Sequence, residues 1–427
     1  MAKIGKAILL IGDGLGDRPV AELGGKTPLE AAETPNLDRI ALEGENGLLD
    51  PIAPGIPPGS DTGHLALLGY HPYEVYTGRG PFEALGIGME VRPGDVCFRC
   101  NFSTVTDEPA RLPEPACSLA GQGPGLVVTD RRAGRISEGT KELAQALNGV
   151  VIEGVTCLVK ESVEHRAALI LRGEGLGHNV TDVDPHEDGK PVLESRGLDE
   201  RSRKTAQVLN EFVRRSFKVL SAHPVNAKRR ELGEPEANIL LPRGAGLAPH
   251  LKPFSDLHGF AAAFVVEVGL VKGIGRYIGA EVVDAPGATG GHDTDELALA
   301  RAAAKALERQ AFVLCNLKAP DLGGHDRNPS LKIRDIEKLD RLAGELLRLV
   351  PEDALIVVTG DHSTPVSVGD HTGDPLPIVF HGPAVRRDGV KAFGERAAGS
   401  GGMGRLSGSD LMNLIANFMG AKGKFGA

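Results

Sequence analysis

The chain has 427 residues, 48 Lys+Arg against 57 Asp+Glu, and a formal net charge of −9 at pH 7. That balance speaks against a phosphate-backbone binder, and 4% aromatics with no tryptophan speak against a base-stacking surface, so no nucleic-acid partner is expected. With 41% hydrophobic and 25% charged residues it reads as a folded globular chain of about two or three domains, and no apolar run approaches the ~20 residues of a membrane span.

Residues 1–6 lead straight into a strand-like run without the apolar core of a signal peptide, so no membrane attachment and a cytoplasmic location are expected. That run, residues 6–11 (KAILLI), ends at Gly12-Asp13-Gly14. A short apolar run closed by glycines predicts a buried parallel strand with a functional loop at its carboxyl end. A proline-rich stretch, residues 54–59, then precedes Ser60-Asp61-Thr62-Gly63-His64, with Leu65–Leu68 reading as a helix behind it.

The middle of the chain has a different texture. Residues 127–147 and 150–171 mix strands and helices, residues 172–198 form a long loop, and residues 198–220 predict a helix charged on one side. An inserted domain over 89–250 follows, with the glycine-rich strings 77–81 and 242–246 as the crossings. Beyond it, helical patterns over 295–310 and 331–349 alternate with apolar runs over 311–317 and 354–359. The runs end near Asp321 and at Gly360-Asp361-His362, and a last helix is expected over 409–419. Strands alternating with helices predict an α/β fold, a mostly parallel central sheet with helices on both faces. Five cysteines (Cys97, Cys100, Cys117, Cys157, Cys315) are an odd number in a large chain, which argues against a disulfide framework. Cys97-x-x-Cys100 has no second pair at zinc-ribbon spacing and reads as thiols in a strand.

Four strand-end clusters carry chemistry: Asp13; Ser60 with Asp61 and His64; Asp321-x-x-x-His325; and Asp361-His362 with His371 further on. Each alone has a bland reading as a cap or a turn. Asp13, Asp321 and Asp361 with His325, His362 and His371 make three aspartates and three histidines after strands of one presumed sheet, and parallel strands converge their carboxyl ends on one crevice. Ionised carboxylate and neutral imidazole suit zinc or manganese, and six such groups suffice for two cations about 4 Å apart, as in phosphoryl transfer. Ser60 fits either a nucleophile activated by metal coordination or an ordinary helix-capping serine, and both readings stand.

These strings resemble the alkaline phosphatase superfamily and, more narrowly, the archaeal-type 2,3-bisphosphoglycerate-independent phosphoglycerate mutases. The narrower likeness rests on Gly78-Arg79-Gly80-Pro81, residues 130–135 (DRRAGR), His165-Arg166, residues 181–186 (TDVDPH), Arg243-Gly244-Ala245-Gly246, Val271-Lys272-Gly273 and residues 286–290 (PGATG). The resemblance implies an alkaline-phosphatase-like catalytic domain from residues 1–88 and 251–427, with residues 89–250 as a smaller α/β (α+β) substrate-binding lid. It implies one metal held by Asp321, His325 and His371, and another by Asp13, Asp361, His362 and the Ser60 oxygen. Manganese is the expected ion, with magnesium, cobalt or zinc as alternatives. It further implies an isomerase of glycolysis and gluconeogenesis that converts 3-phosphoglycerate to 2-phosphoglycerate through phosphoserine at Ser60, without 2,3-bisphosphoglycerate. Its partner is then a small phosphorylated hydroxy acid, whose carboxylate and phosphate need cations. Arg132, Arg135, Arg166, Arg243 and Lys272 are the expected set. Asp182, Asp184 and His186 read as a loop held by aspartate turns, with a third ligand cluster as the other reading. The competing activity is a metal-dependent phosphatase or phosphotransferase acting on another small phosphate ester, or on an acceptor such as homoserine. Oligomeric state has no signature in the sequence.

Overall fold

Six residues with almost no polar surface, Ala7–Gly12, are fully buried and form the central strand of an eight-stranded sheet. The computed structural model describes residues 5–106, 122–424 and 426; Cys117 and residues 1–4 lie outside them. Two compact units result, one from Met1–Tyr76 with Leu251–Ala427, the other Thr77–His250. The first crossing thus falls at 76/77, not at 88/89. The helix Gly80–Gly86 packs on the inserted unit's sheet, with Gly80 against the Cys97 backbone where no side chain fits.

The strands are, in chain order, β1 (Ala7–Gly12), β2 (Glu45–Asp50), β3 (Val96–Thr106), β4 (Gln122–Asp130), β5 (Val150–Ile152), β6 (Val155–Glu161), β7 (Arg166–Arg172), β8 (Pro191–Leu193) and β9 (Ile239–Leu247). They continue with β10 (Ala262–Val265), β11 (Glu281–Val283), β12 (Phe312–Leu317), β13 (Leu355–Thr359), β14 (Leu376–His381) and β15 (Gly404–Ser407). The first unit's sheet runs β11-β10-β12-β1-β13-β14-β2-β15. It is parallel except where β14 pairs with β13 and β2. Ile8 and Leu10 of β1 pack with the helices Glu296–Arg309 and Pro329–Leu349 in one core. The first helix starts where Asp295 caps the Ala298 N–H, and the second where Asn328 caps Leu331 just before a proline. Ser60–Leu67, Gly269–Tyr277 and Gly408–Phe418 make a further packed set of helices.

The second unit is an antiparallel sheet, β5-β6-β7-β3-β4-β8, with β9 also paired to β3. The helices Thr140–Leu147 and Ser202–Ser221 pack on it through a core that includes Phe98, Phe102, Leu143 and Phe212. The expected long loop over 172–198 contains the short edge strand β8. Cys97, Cys100, Cys157 and Cys315 are free and buried. Burial alone accounts for an inert thiol; it pushes Cys157 up to about 12.

Candidate active site

Strand register builds the site. β1 lies between β12 and β13, with Gly12 level with Leu317 and Ile11 level with Thr359. The residues just past three neighbouring carboxyl ends therefore meet: Asp13 after β1, Lys318 to Asp321 after β12, and Asp361-His362 after β13. Two glycines permit the closeness. At Gly14 (φ +62°) a Cβ would lie 2.7 Å from the Asp321 backbone, and at Gly63 one would lie 2.5 Å from the Asp361 carbonyl oxygen.

Ser60 is the first residue of the helix Ser60–Leu67. It does not cap that helix. Gly59 is the capping position, and its N–H donates to Thr62 Oγ1 at 2.9 Å. The Ser60 hydroxyl instead lies 3.2 Å from His362 Nε2.

The histidine tautomers follow from their neighbours. Thr364 Oγ1 donates its proton to Asp321 Oδ1 at 2.7 Å. His362 Nδ1, 3.0 Å from the same hydroxyl, must therefore be the donor in that pair. Burial pushes His362 down to about 3, so the ring is neutral and Nε2 carries a lone pair. That lone pair faces Ser60 Oγ, Asp361 Oδ2 at 3.4 Å and Asp13 Oδ1 at 3.5 Å. Asp361 Oδ2 is buried without a hydrogen-bond partner. An imidazole lone pair and two carboxylate oxygens turned on one another, one of them orphaned, fit a divalent cation.

His371 Nδ1 donates to the Pro58 carbonyl at 2.9 Å, which leaves Nε2 3.7 Å from Asp321 Oδ1. His325 Nδ1 donates to the Gly369 carbonyl at 3.0 Å, with Nε2 3.4 Å from Asp321 Oδ2. Backbone acceptors fixing the far nitrogen are the usual outer support of a ligating histidine. The ligand atoms of Asp13, Asp361 and His362 lie within 4.8 Å of one another, as do those of Asp321, His362 and His371. His325 stands beside the second group through Asp321, whose carboxylate pushes it up to about 9.

Three polar residues carry no signal in the sequence alone, two of them beside this site and one in the other unit. Thr364 orients both Asp321 and His362. Lys318 Nζ bridges the two groups, 2.7 Å from Asp13 Oδ1 and 2.6 Å from Asp321 Oδ2. Burial opposes its charge, but Asp13, Asp321 and Asp361 outweigh burial and raise its pKa. The third is Arg99, in the other unit, on the strand that carries the Cys97-x-x-Cys100 spacing. It sits opposite Arg243 across β3 and β9, while its neighbour Asn101 sits opposite Arg166 of β7. Burial, with Arg79, Arg243 and Arg166 acting against Glu83, pushes Arg99 down to about 10.

The other expected substrate residues divide between the units. Arg132, Arg135 and Arg166 share the surroundings of His165, which is pushed down to about 4 by burial and by these three charges. Arg243 Nε is buried without a hydrogen-bond partner, 3.7 Å from Asp184. Lys272 lies in the first unit on Gly269–Tyr277, ion-paired with Asp284 at 2.6 Å. Arg131 grips Asp184 in a fork (3.0 and 2.7 Å), and Asp182 accepts from the Gly244 N–H at 2.8 Å. Those contacts describe a pinned loop rather than a third cation cluster.

A mostly parallel sheet that gathers aspartates and histidines past adjacent carboxyl ends, with a serine hydroxyl beside them, defines an α/β enzyme whose centre holds side chains able to bind a metal ion. The family model described as 2,3-bisphosphoglycerate-independent phosphoglycerate mutase matches residues 41–226. The mutase 1 of that name from Methanothermobacter thermautotrophicus is 49% identical over 428 residues, covering 99% of this chain and 100% of the relative. The chain belongs to the 2,3-bisphosphoglycerate-independent phosphoglycerate mutase family. The Pyrococcus horikoshii relative is 46% identical over 425 residues, 99% of each chain. A solved structure of a Pyrococcus horikoshii protein superposes with a TM-score of 0.83 at 39% identity over 100% of both chains. A cofactor-independent phosphoglycerate mutase from Thermoplasma acidophilum gives 0.72 at 37% identity, covering 97% of this chain and 100% of the other. Among the described residues no helix is long and apolar enough to cross a membrane.

Proposed function

We propose that this protein interconverts 3-phosphoglycerate and 2-phosphoglycerate through a phosphoserine at Ser60, without 2,3-bisphosphoglycerate. The carrying observation is Ser60 Oγ, free of any capping duty and 3.2 Å from the neutral His362 Nε2. Relatives at 45–49% identity across the whole chain favour this reading over a phosphatase or a transferase to another acceptor.

Two divalent cations, manganese by preference, are assigned to the site. Asp13, Asp361, His362 Nε2 and the Ser60 oxygen would hold one, and Asp321, His325 and His371 the other. His362 belongs with the first set because its Nδ1 is already committed to Thr364. Such ions supply stabilisation of phosphoryl oxygens and a more acidic serine hydroxyl.

The chain's own groups do the rest. Ser60 Oγ attacks phosphorus while the bond to the substrate's 3-oxygen breaks. Glycerate turns in place, its 2-oxygen attacks the phosphoserine, and Oγ departs. Ser60 opens a helix, where free N–H groups and the helix dipole favour the phosphoryl charge. Lys318 keeps a fixed positive charge beside Asp13 and Asp321.

The substrate's carboxylate and its free hydroxyls are assigned to the arginines of the inserted unit, Arg132, Arg135, Arg166 and Arg243, with Lys272 as a further cation. The turn bearing Arg132 and Arg135 supports this assignment. Ala133 and Arg135 hold positive φ (45° and 57°), strain of the kind that collects at ligand clamps. Retention of glycerate and exclusion of water separate a mutase from a phosphatase.

A coupled assay with 3-phosphoglycerate, with and without added 2,3-bisphosphoglycerate, tests the proposal. Conversion that needs no bisphosphate supports it. Release of inorganic phosphate without 2-phosphoglycerate refutes it.

A further inference from the structure

Two buried side chains next to the proposed nucleophile carry hydrogen bonds that the mechanism above does not use. His64 and Asn316 are both 0% exposed. His64 lies one turn after Ser60 on the same helix. Its Nδ1 donates to the Ser60 carbonyl oxygen at 2.7 Å and lies 3.3 Å from Asp361 Oδ2. Its Nε2 accepts an amide hydrogen of Asn316 at 3.3 Å. The other Asn316 amide hydrogen goes to Asp13 Oδ2 at 3.2 Å.

The amide has one workable orientation. Turned over, Asn316 Oδ1 would face the Asp13 carboxylate and the lone pair of His64. The network therefore runs without a break from the Ser60 backbone through an imidazole and an amide to Asp13, with Asp361 at its side. The partners of this imidazole join a helix start to the loops after two strands.

We propose that His64 and Asn316 are a positioning pair. They hold the Ser60 backbone and the Asp13 and Asp361 carboxylates in one rigid frame, so that the serine hydroxyl and the ligating oxygens keep a fixed mutual geometry. The proposal rests on Ser60 as nucleophile. Partners of this kind are worth about 10–100-fold in metal affinity or activity.

Two amide substitutions separate the two ends of the imidazole. Asparagine reproduces Nδ1, and glutamine reproduces Nε2. In the full chain, His64→Asn keeps the bond to the Ser60 carbonyl, and His64→Gln keeps the link to Asn316. The readouts are kcat and KM at saturating manganese, manganese binding to chelator-stripped protein by calorimetry, and the thermal midpoint.

His64→Gln, which frees the Ser60 carbonyl, is expected to lower kcat about 10–100-fold with KM little changed, while His64→Asn, which keeps that bond and cuts only the link to Asn316, is expected to lose about 3–10-fold. Asn316→Leu is expected to weaken manganese binding by the stripped protein about 10–100-fold. Equal kcat for the two His64 variants at matched thermal midpoints overturns the proposal. So does unchanged manganese affinity in Asn316→Leu, a readout that remains if a His64 variant fails to fold. Turnover surviving in Ser60→Ala would instead refute the nucleophile, and the manganese titrations still report on the pair.

Discussion

Lys318→Met is the sharpest test of the electrostatics at the centre. Its side chain is 15% exposed, and the ammonium sits between the Asp13 (0%) and Asp321 (2%) side chains at 2.7 and 2.6 Å. Breaking a buried pair by removing one partner costs about 3–5 kcal/mol, because the other charge stays buried. Asp13 keeps Asn316, and Asp321 keeps Thr364 and His325. The lower end, about 3 kcal/mol, is therefore expected. At ~2–4 °C per kcal/mol for a unit of this size, the melting point of metal-stripped protein falls by roughly 6–12 °C.

The measurement belongs at pH 7. The folded pKa of Lys318 is raised, so its contribution is complete below the unfolded value of about 10.4 and is lost only as pH climbs through the higher folded value. Calorimetry on stripped parent and variant gives the deficit, and saturating manganese should at least halve it by neutralising the same carboxylates. A variant melting within about 2 °C of the parent when stripped, or a deficit untouched by manganese, would refute the reasoning.

Ser60→Ala should bring mutase turnover to background while the circular dichroism spectrum and melting point stay near the parent's; a folded variant with parental turnover removes the phosphoserine. A chelator should abolish activity and manganese should restore it; full activity in protein shown to be metal-free contradicts the two-cation site. Arg243→Met should raise KM or increase phosphate release relative to 2-phosphoglycerate formation, and unaltered kinetics would take Arg243 out of the substrate set. Burial pushes Glu395 up to about 7 against hydrogen bonds from Thr27 and Asp17, so the folded state binds the extra proton. Stability should then fall as pH rises from about 4.5 to 7, by at most about 3 kcal/mol and less in proportion to the water reaching this partly exposed residue. Glu395→Gln should flatten that slope in denaturant titrations; a variant as pH-dependent as the parent would place the proton elsewhere.

The strands over 7–12, 312–317 and 355–359 were legible because buried parallel strands are short apolar runs closed by small or polar residues. The same pattern made Asp13, Asp321 and Asp361 conspicuous. Ser60 was ambiguous for a local reason. A serine one place before a helix caps it, one at its first position does not, and no pattern separates the two by a single residue. Lys318, Thr364 and Arg99 were not legible at all. A lysine three residues before Asp321 looks like any exposed charge until β1 and β12 align Asp13 beside it. Arg99 faces Arg243 only because β3 and β9 pair in that register, and a strand sequence does not announce its partner. Residues 77–88 show the limit for boundaries: a short helix after glycines belongs to whichever sheet it packs on.

The interleaving of β1 between β12 and β13 has a consequence for biosynthesis. Asp13 leaves the ribosome early, while Asp361, His362 and His371 emerge some 350 residues later, after the inserted unit. Pairing so distant in the chain is a late and slow event. A nascent or truncated polypeptide lacking its last fifth keeps four of the seven proposed ligands and lacks β13, so the proposed cation site can form only when synthesis is nearly complete.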